Sequence, residues 1–445
     1  MADHTIRKVS QSGVGYSVVD LNDVRHIYAA AAPRRGATFD EQAEDALRTI
    51  EAVICEEGTR GSIVHQAVFL ADMAQVGRCQ RLMREFYGRE LPATSYIPQP
   101  PCGGKLLAIE ALGVGQGRGE VQIERVSDEV VIARHNGIAW VHCTETRPQA
   151  EDQPVYEGTL KVFQQLCRLF GSAKVDFGQV VRTWIYLGGI VEEEGPTERY
   201  REFNRARTDF FRHVRFDRGL MRGDGCKQVY PASTGIGTAG RGIVMSAIAV
   251  VSERNDIRAV PVENPRQTAA FDYSTDYGPQ SPKFSRAMVL SCGTYTTIFI
   301  SGTASITDSR TRHAGDAVRQ TEETLDNIAA LIGDENLARS GLPGLGTSLA
   351  SLGLARVYIK RPEDYPAVRA VCERRLDAVP TIYAIADVCR KDLLVEIEGV
   401  AFSRLAAVDS GAVRGKIDER RRDEPHSPRI SASPLPHDAV TSVPS

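Results

Sequence analysis

The sequence has no excess of charge of either sign and no long apolar run. Its 54 basic and 57 acidic residues give a net charge of −3, so no overall field favours nucleic acid or an acidic membrane surface. No stretch is apolar and long enough to cross a bilayer, and the opening MADHTIRKVSQSG lacks the apolar centre of a signal peptide. We therefore expect neither nucleic-acid nor membrane partners.

Metal-binding and disulfide patterns are also missing. The nine cysteines and nine histidines are scattered, with no CxxC, HxxxH or HxH spacing. An odd number of cysteines without close pairs argues against both a disulfide framework and a zinc site. We therefore expect a reducing, cytoplasmic location and no metal or other cofactor.

The sequence does contain one pattern of elements three times. Each copy has strands, an amphipathic helix, a strand, a second helix, a short strand that opens with proline, and a final apolar strand. The proline-led strands begin at Pro92, Pro231 and Pro380, which are 139 and 149 residues apart. Repeats of that length are whole domains. The pattern predicts an α+β fold in which each domain is a mixed β-sheet with two helices packed on one face.

We expect four regions along the chain. A first domain covers residues 1–128, a second 129–258 and a third 259–406, and residues 407–445 form a disordered tail that is charged and then rich in Pro and Ser. Sheets of this size usually bury their second face against copies of themselves. Three copies in one chain could do so internally, as a pseudo-trimer, or the chain could form a trimer.

A carboxylate stands inside the last apolar strand of the third copy. In LLVEIEGVA, which begins at Leu393, Glu396 and Glu398 share one face because residues i and i+2 of a strand point the same way. Glu396 is either a general acid or base in a cleft or part of a solvated strand face. Its apolar neighbours make burial plausible, and burial would raise the pKa of Glu396. Cys389, seven residues earlier, is either catalytic or a small buried side chain.

The third copy resembles the Rid (YjgF-like) family in four motifs: SGTASI at Ser301, QTEETLDNIAALI at Gln320, ARVYIKRPEDY at Ala355 and VEIEGVA at Val395. This resemblance implies chorismate-mutase-like domains with ligand sites between neighbouring copies. The family's arginine follows the proline of the short strand, and this chain lacks it there. The residues in its place are Thr94-Ser95, Ser233-Thr234 and Thr381-Ile382-Tyr383.

From about Val180 to Val400 the chain looks more like the chorismatases, a two-domain branch of the same superfamily. The motifs are RTWIYL, ERYREFNRAR, PASTGIG, VENPRQ, YGPQSPKFSRA, SGTASI with HAGD, and ADVCRKDLLVEIEG. The resemblance implies cleavage of the enolpyruvyl ether of chorismate to pyruvate and either a hydroxybenzoate or a dihydroxycyclohexadiene carboxylate. It also implies that Glu396 donates the proton, and that Cys389 with Gly302 matches the hydroxybenzoate-forming branch.

Two features depart from the chorismatase pattern. Asp308-Ser309 stands where the family has Gly-His, and the first copy is an addition to the two domains of ordinary chorismatases. In that copy Glu110 aligns with Glu398, and Ala108 takes the place of Glu396. We therefore expect the first domain to be structural or regulatory and the active site to lie between the second and third domains.

Chorismate carries two carboxylates, so its pocket needs cations that give directional hydrogen bonds. The candidate substrate-binding residues are Arg182, Tyr186, Arg199, Tyr200, Arg207, Gly302 and Arg390. The alternative for each arginine is a solvated surface position. Two other functions stay open, a Rid-type deaminase of enamines or imines and a non-catalytic protein that binds small carboxylates.

Overall fold

Three β-sheets form the framework of the computed structural model. The structure describes residues 6–11, 14–57, 63–116, 119–144, 153–216, 220–221 and 229–405. The predicted disordered tail lies outside these residues. No helix in the described ranges is long and apolar enough to span a membrane.

The first sheet has six strands in the order β1-β2-β3-β6-β4-β5. Its strands are β1 (Ile6–Gln11), β2 (Val14–Leu21), β3 (Val24–Ala31), β4 (Ile63–Leu70), β5 (Ala93–Ile97) and β6 (Leu107–Gln116). Its helices are α1 (Phe39–Glu56) and α2 (Val76–Tyr87). A capping box between Thr38 and Glu41 fixes the start of α1.

The second sheet has the order β7-β8-β9-β14-β10-β13. Its strands are β7 (Gln122–Arg125), β8 (Val130–His135), β9 (Ile138–Thr144), β10 (Val180–Gly188), β13 (Ala232–Thr238) and β14 (Ile243–Ser252). A two-stranded hairpin, β11 (Glu193–Glu194) and β12 (Thr197–Glu198), follows β10. The helices are α3 (Val155–Ser172) and α4 (Arg199–Phe211). Because β7 pairs with β8, this sheet begins within the predicted first domain.

The third sheet has the order β15-β16-β17-β22-β20-β21. Its strands are β15 (Arg258–Val262), β16 (Ala287–Cys292), β17 (Tyr295–Ala304), β20 (Leu352–Ile359), β21 (Thr381–Ile385) and β22 (Val395–Arg404). The hairpin strands β18 (Ile306–Thr307) and β19 (Arg310–Thr311) lie beyond β17. The helices are α5 (Ala317–Ile332), the short α6 (Asp334–Arg339) and α7 (Tyr365–Leu376).

The three sheets share one topology. In each, the strand before the second long helix pairs in parallel with the proline-led strand, and the other pairs are antiparallel. Each of the strands β4, β10 and β20 also has an irregularity at the same place in its pairing with the last strand. The predicted α+β class, with helices on each mixed sheet, is confirmed.

The inner faces of the three sheets pack against one another. One cluster of buried apolar side chains includes residues of all three sheets. Aromatic pairs join each sheet to the other two, with ring centroids 5.4–6.4 Å apart: Tyr28 with Phe402, His65 with Trp184, and Trp140 with Phe299. The three copies therefore bury their second faces within one chain.

Four buried histidines lie where the first and second sheets meet. His26 is 5.0 Å from His135, and His65 is 5.6 Å from His142, between ring centroids. Burial lowers the pKa of His135 to about 4 and, together with His135, lowers that of His142 to about 3. These rings are therefore neutral at pH 7.

This cluster makes stability depend on pH. Because the folded pKa of His142 is below its unfolded value, its contribution is present above about pH 6.5 and is lost as the pH falls. We expect His142→Leu to reduce the destabilisation between pH 7 and pH 5 by about 2 kcal/mol, as measured by urea unfolding. The control His213→Leu changes an exposed ring, so an equal effect of both variants would contradict this assignment.

Candidate active site

A cavity of about 270 Å³ lies between the second and third sheets, near the lower end of the range for small-molecule sites. Helix α4 and strand β13 line one side. Strands β17 and β22 line the other, together with residues 273–286 and 389–391. Six of the predicted site residues border it: Tyr200, Arg207, Gly302, Cys389, Arg390 and Glu396.

Glu396 lies on β22 and faces this cavity with only 4% of its surface exposed. Burial and the nearby Glu398 raise the pKa of Glu396 to about 8, although Arg286 and Arg182 act in the opposite direction. The carboxyl group is therefore mostly protonated at pH 7. A buried, protonated carboxyl beside a cavity can act as a general acid.

Cys389 borders the same cavity as Glu396. Burial, reinforced by the charge of Glu396, raises the pKa of this thiol to about 12. The sulfur is therefore a neutral thiol at pH 7 and can donate a weak hydrogen bond, whereas a thiolate nucleophile would need the opposite shift.

Gly302 gives the Glu396 carboxyl its space. A β-carbon built on Gly302 would overlap a carboxylate oxygen of Glu396 and come within 3.1 Å of the Thr234 side chain. The Gly302 amide also donates a 3.0 Å hydrogen bond to the Thr234 hydroxyl. Glycine at this position therefore sets the position of the acid.

We expect Gly302→Ala to fold normally but to lose activity. The flexible end of Glu396 can move away from the added methyl group, so the melting temperature should change little, while the displaced carboxyl should lower kcat about 10- to 100-fold. Circular dichroism melting and steady-state kinetics on chorismate test this. The control is Gly171→Ala, which adds a methyl group in open space. Gly341→Ala would be a poor control because Gly341 has a positive φ.

Two buried arginines border the cavity. Arg207 donates a 2.6 Å hydrogen bond to the side-chain oxygen of Asn204. Arg286 donates to the Tyr273 hydroxyl at 2.6 Å and to the Thr268 carbonyl at 3.1 Å. These partners are neutral, so neither guanidinium is held in a salt bridge by them. Each can accept a carboxylate of a ligand as its counter-ion.

Arg390 lies over the aromatic rings of Tyr277 and Tyr273, with its guanidinium carbon 4.4 and 5.4 Å from their centroids, respectively. It also donates a 2.8 Å hydrogen bond to the Ser309 carbonyl. The Asp308-Ser309 pair, which replaces the family's Gly-His, therefore contacts the cavity residue Arg390 through a backbone carbonyl. That carbonyl would be present with any side chain at this position.

The loop that carries Cys389 is fixed at both ends. The Asp387 carbonyl accepts a 2.7 Å hydrogen bond from the Gly237 amide of the second sheet. Near Glu396, the Gln320 side chain of α5 donates to the Asp392 carbonyl at 2.9 Å and accepts from the Leu394 amide at 2.7 Å. These bonds position the start of β22 and therefore Glu396.

Three predicted binding residues lie away from the cavity. Arg199 is the buried first residue of α4, where it donates a 2.8 Å hydrogen bond to the Gly188 carbonyl and pairs with Glu194. Arg182 pairs with Glu398 in the centre of the molecule. Tyr186 lies in the same centre and accepts a 2.7 Å hydrogen bond from Arg356. Each of the three side chains therefore has partners within the protein, although one Nη of Arg182 has no hydrogen-bond partner.

Several residues of the cavity were not among the candidates, and three of them carry groups that could bind a ligand. Arg286, Tyr273 and Tyr277 lie in the segment before β16. The motif YGPQSPKFSRA contains Tyr277 and Arg286, so the resemblance offered a signal for those two. Tyr273 precedes the motif and has no comparable signal.

Within the described residues, no group of three or more His, Cys, Asp or Glu side chains could hold a metal ion. The chemistry that the cavity offers comes from its own side chains. It combines the protonated acid of Glu396, the neutral thiol of Cys389 and two buried arginines whose guanidinium hydrogen bonds go to neutral groups.

Comparisons with known proteins identify relatives of this chain. The model of the N-terminal domain of FkbO/Hyg5-like chorismatases matches residues 117–249. A 3-hydroxybenzoate synthase of Streptomyces hygroscopicus is 39% identical over 232 residues, which are 50% of this chain and 64% of the synthase. The chain thus spans just under two thirds of that relative. A chorismatase of the same organism is 35% identical over 271 residues, covering 60% of this chain and 74% of the chorismatase.

A crystal structure of a chorismatase matches with a TM-score of 0.58 and 26% identity, covering 77% of this chain and 93% of the other. Residues 129–445 are 317 of the 445 residues, or 71%, so the match also reaches the first domain. At least part of residues 1–128 is therefore matched as well, and the first domain as a structural or regulatory addition stays a prediction. By its identity to these relatives and the length it shares with them, the chain belongs to the chorismatase family of chorismate-converting enzymes.

Proposed function

We propose that this protein cleaves the enolpyruvyl ether of chorismate in the cavity between its second and third sheets, giving pyruvate and a hydroxybenzoate. The observation that carries the proposal is the protonated carboxyl of Glu396, buried beside a cavity that two buried arginines border. A neutral acid and fixed cations are what protonation of a dianionic enol ether requires.

Arg207 and Arg286 would hold the two carboxylates of chorismate. Both guanidiniums are at most 3% exposed and their hydrogen bonds go to neutral partners, so a carboxylate would gain charge-assisted hydrogen bonds. Arg390, which lies over two tyrosine rings, would contact the ring side of the ligand. Tyr200 adds an aromatic wall with a hydroxyl group.

Glu396 would protonate the methylene carbon of the enol ether. The resulting oxocarbenium ion adds water, and the hemiketal collapses to pyruvate and the ring alcohol. Because Glu396 must carry the proton, activity should fall as the pH rises above about 8.

Cys389 would direct the ring toward aromatisation. Loss of a ring proton and a hydroxyl group, as water, converts the diene carboxylate to a hydroxybenzoate, so overall one chorismate gives one pyruvate and one hydroxybenzoate. A thiol with a pKa of about 12 stays protonated and would donate a hydrogen bond to the departing hydroxyl. The pairing of Cys389 with Gly302, and the synthase among the relatives, support a hydroxybenzoate product.

We also propose that the protein is cytoplasmic and that the three domains of one chain form a pseudo-trimer. The burial of the inner sheet faces within one chain supports a pseudo-trimer that does not need further copies. Size-exclusion chromatography with light scattering would distinguish a monomer from a trimer.

Pyruvate release from chorismate, followed with lactate dehydrogenase, tests the proposed function. Chromatography of the ring product identifies a hydroxybenzoate or a diene carboxylate. A diene product would contradict the role of Cys389 but not the cleavage. No release, with chorismate still raising the melting temperature, would indicate the non-catalytic carboxylate-binding protein, and no release without binding would direct the search to enamine and imine substrates.

A further inference from the structure

A carboxylate of the first domain reaches the centre of the molecule. Glu110 on β6 accepts two hydrogen bonds from Arg356 on β20, at 2.5 Å from its Nε and 2.6 Å from an Nη. The Arg356 side chain is 3% exposed and that of Glu110 is 9% exposed. This pair therefore joins the first and third sheets by a buried, bidentate contact.

Arg356 also holds Glu398, two residues from the acid. Its other Nη donates to Glu398 at 3.2 Å, where the Tyr358 hydroxyl donates at 2.6 Å. The second carboxylate oxygen of Glu398 accepts from Arg182, from the Trp184 indole at 2.9 Å and from the Thr234 hydroxyl. In this cluster two arginines balance two glutamates.

The cluster touches the site at two points. Glu398 and Glu396 lie on the same face of β22. The Thr234 hydroxyl, which donates to Glu398, accepts the Gly302 amide hydrogen bond at 3.0 Å, and Gly302 sets the space for the Glu396 carboxyl. Contacts therefore run without a break from Glu110 to the residue that bounds the acid.

We infer that Glu110 is a positioning residue for Glu396, acting through Arg356 and Glu398, and that the first domain thereby takes part in the reaction of the other two. This inference rests on the proposed function. With Glu110 in place, Arg356 makes two hydrogen bonds to the first domain, one to Tyr186 and a longer one to Glu398. Without Glu110, Arg356 would carry an unbalanced positive charge beside Glu398, on the face of β22 that also carries Glu396.

The charge of this cluster should act on Glu396 through space. Other groups face Glu396 as well, from α4, β10, the segment before β16 and the loop before β22: Tyr200, Arg182, Arg286 and Cys389. An uncompensated charge at the cluster adds to their fixed field. At an effective dielectric constant of about 20, one charge about 12 Å away shifts a pKa by roughly one unit.

The test is the pH dependence of kcat/KM for pyruvate release. Glu110→Gln should move the loss of activity at high pH to lower pH by about one unit, because the uncompensated Arg356 favours ionised Glu396. Arg356→Met removes the positive charge, so the loss of activity at high pH, which is the alkaline limb of the profile, should move to higher pH. The double variant, with the charges balanced again, should return toward wild type.

Opposite shifts separate this role from general damage to the fold. Glu57→Gln breaks an ion pair of the first domain in which Glu57 is buried and Arg7 is half exposed, and it should leave the pH at which activity is lost unchanged. Equal limbs in wild type, Glu110→Gln and Arg356→Met would overturn the inference while wild-type pyruvate release still supports the proposed function. If Glu110→Gln does not fold, the direction of the Arg356→Met shift decides. Absence of pyruvate release by wild type would instead overturn the proposed function.

Discussion

Replacement of Glu396 by glutamine should abolish most of the pyruvate release from chorismate. Glutamine keeps the shape of the neutral acid but has no proton to give to the methylene carbon, and general acid catalysis contributes about 10²–10⁴-fold. Because the pKa of Glu396 is about 8, the wild-type side chain is also mostly neutral at pH 7. We therefore expect kcat to fall by about 10³ while KM changes little.

Glu335→Gln is the matched control for this change. Glu335 lies on α6 of the third sheet's helical layer, 81% exposed, and pairs with Arg339 on the surface. Its variant should match wild type in kcat and melting temperature. If Glu396→Gln keeps more than a tenth of the wild-type kcat, Glu396 is not the proton donor.

Loss of Arg356 should have the largest effect on stability. Arg356→Met leaves Glu110 without either hydrogen bond and Glu398 with Arg182 as its remaining arginine. Removing one partner of a buried ion pair costs about 3–5 kcal/mol, because the other charge stays buried without compensation. We expect this loss in the free energy of unfolding, measured by urea titration at pH 7.

A double variant distinguishes an unpaired charge from a packing defect. Arg356→Met with Glu110→Met removes both charges, and it should recover much of the stability that Arg356→Met loses. Arg339→Met is the surface control and should change the free energy of unfolding by less than about 0.5 kcal/mol. An equally unstable double variant would show that packing around Arg356, rather than charge, decides.

The sequence pattern predicted the repeated architecture because periodicity and proline-led strands are local features. The same is true of Glu396, since a carboxylate within a strand of leucine and β-branched residues stands out from its neighbours alone. The sequence also predicted that Glu396 and Glu398 lie on the same face of the strand, because side chains of a strand alternate between its two faces. The strand registers also agree with the alignment of Glu110 with Glu398.

The partners of the arginines could not be predicted in this way. Arg182 meets Glu398 across 216 residues of sequence, and Arg199 is held by the Gly188 carbonyl and Glu194. The sequence shows that an arginine is present, but not which carboxylate or carbonyl it pairs with in the folded chain. Arg286 and Tyr273 lie in the irregular segment before β16, where the sequence has no periodic pattern of apolar residues. Their place at the cavity therefore depends on the fold of the whole chain.

The shared topology has a consequence for how many substrate molecules one chain can process. The residue paired with Phe69, Tyr186 and Tyr358 in the three sheets is Ala108, Val244 and Glu396, respectively. A ring of three identical subunits must repeat every substitution at all three of its interfaces. Fusion into one chain removes that constraint, so one junction can hold an acid while the others keep small or apolar side chains that support the scaffold. We therefore expect one catalytic site per chain.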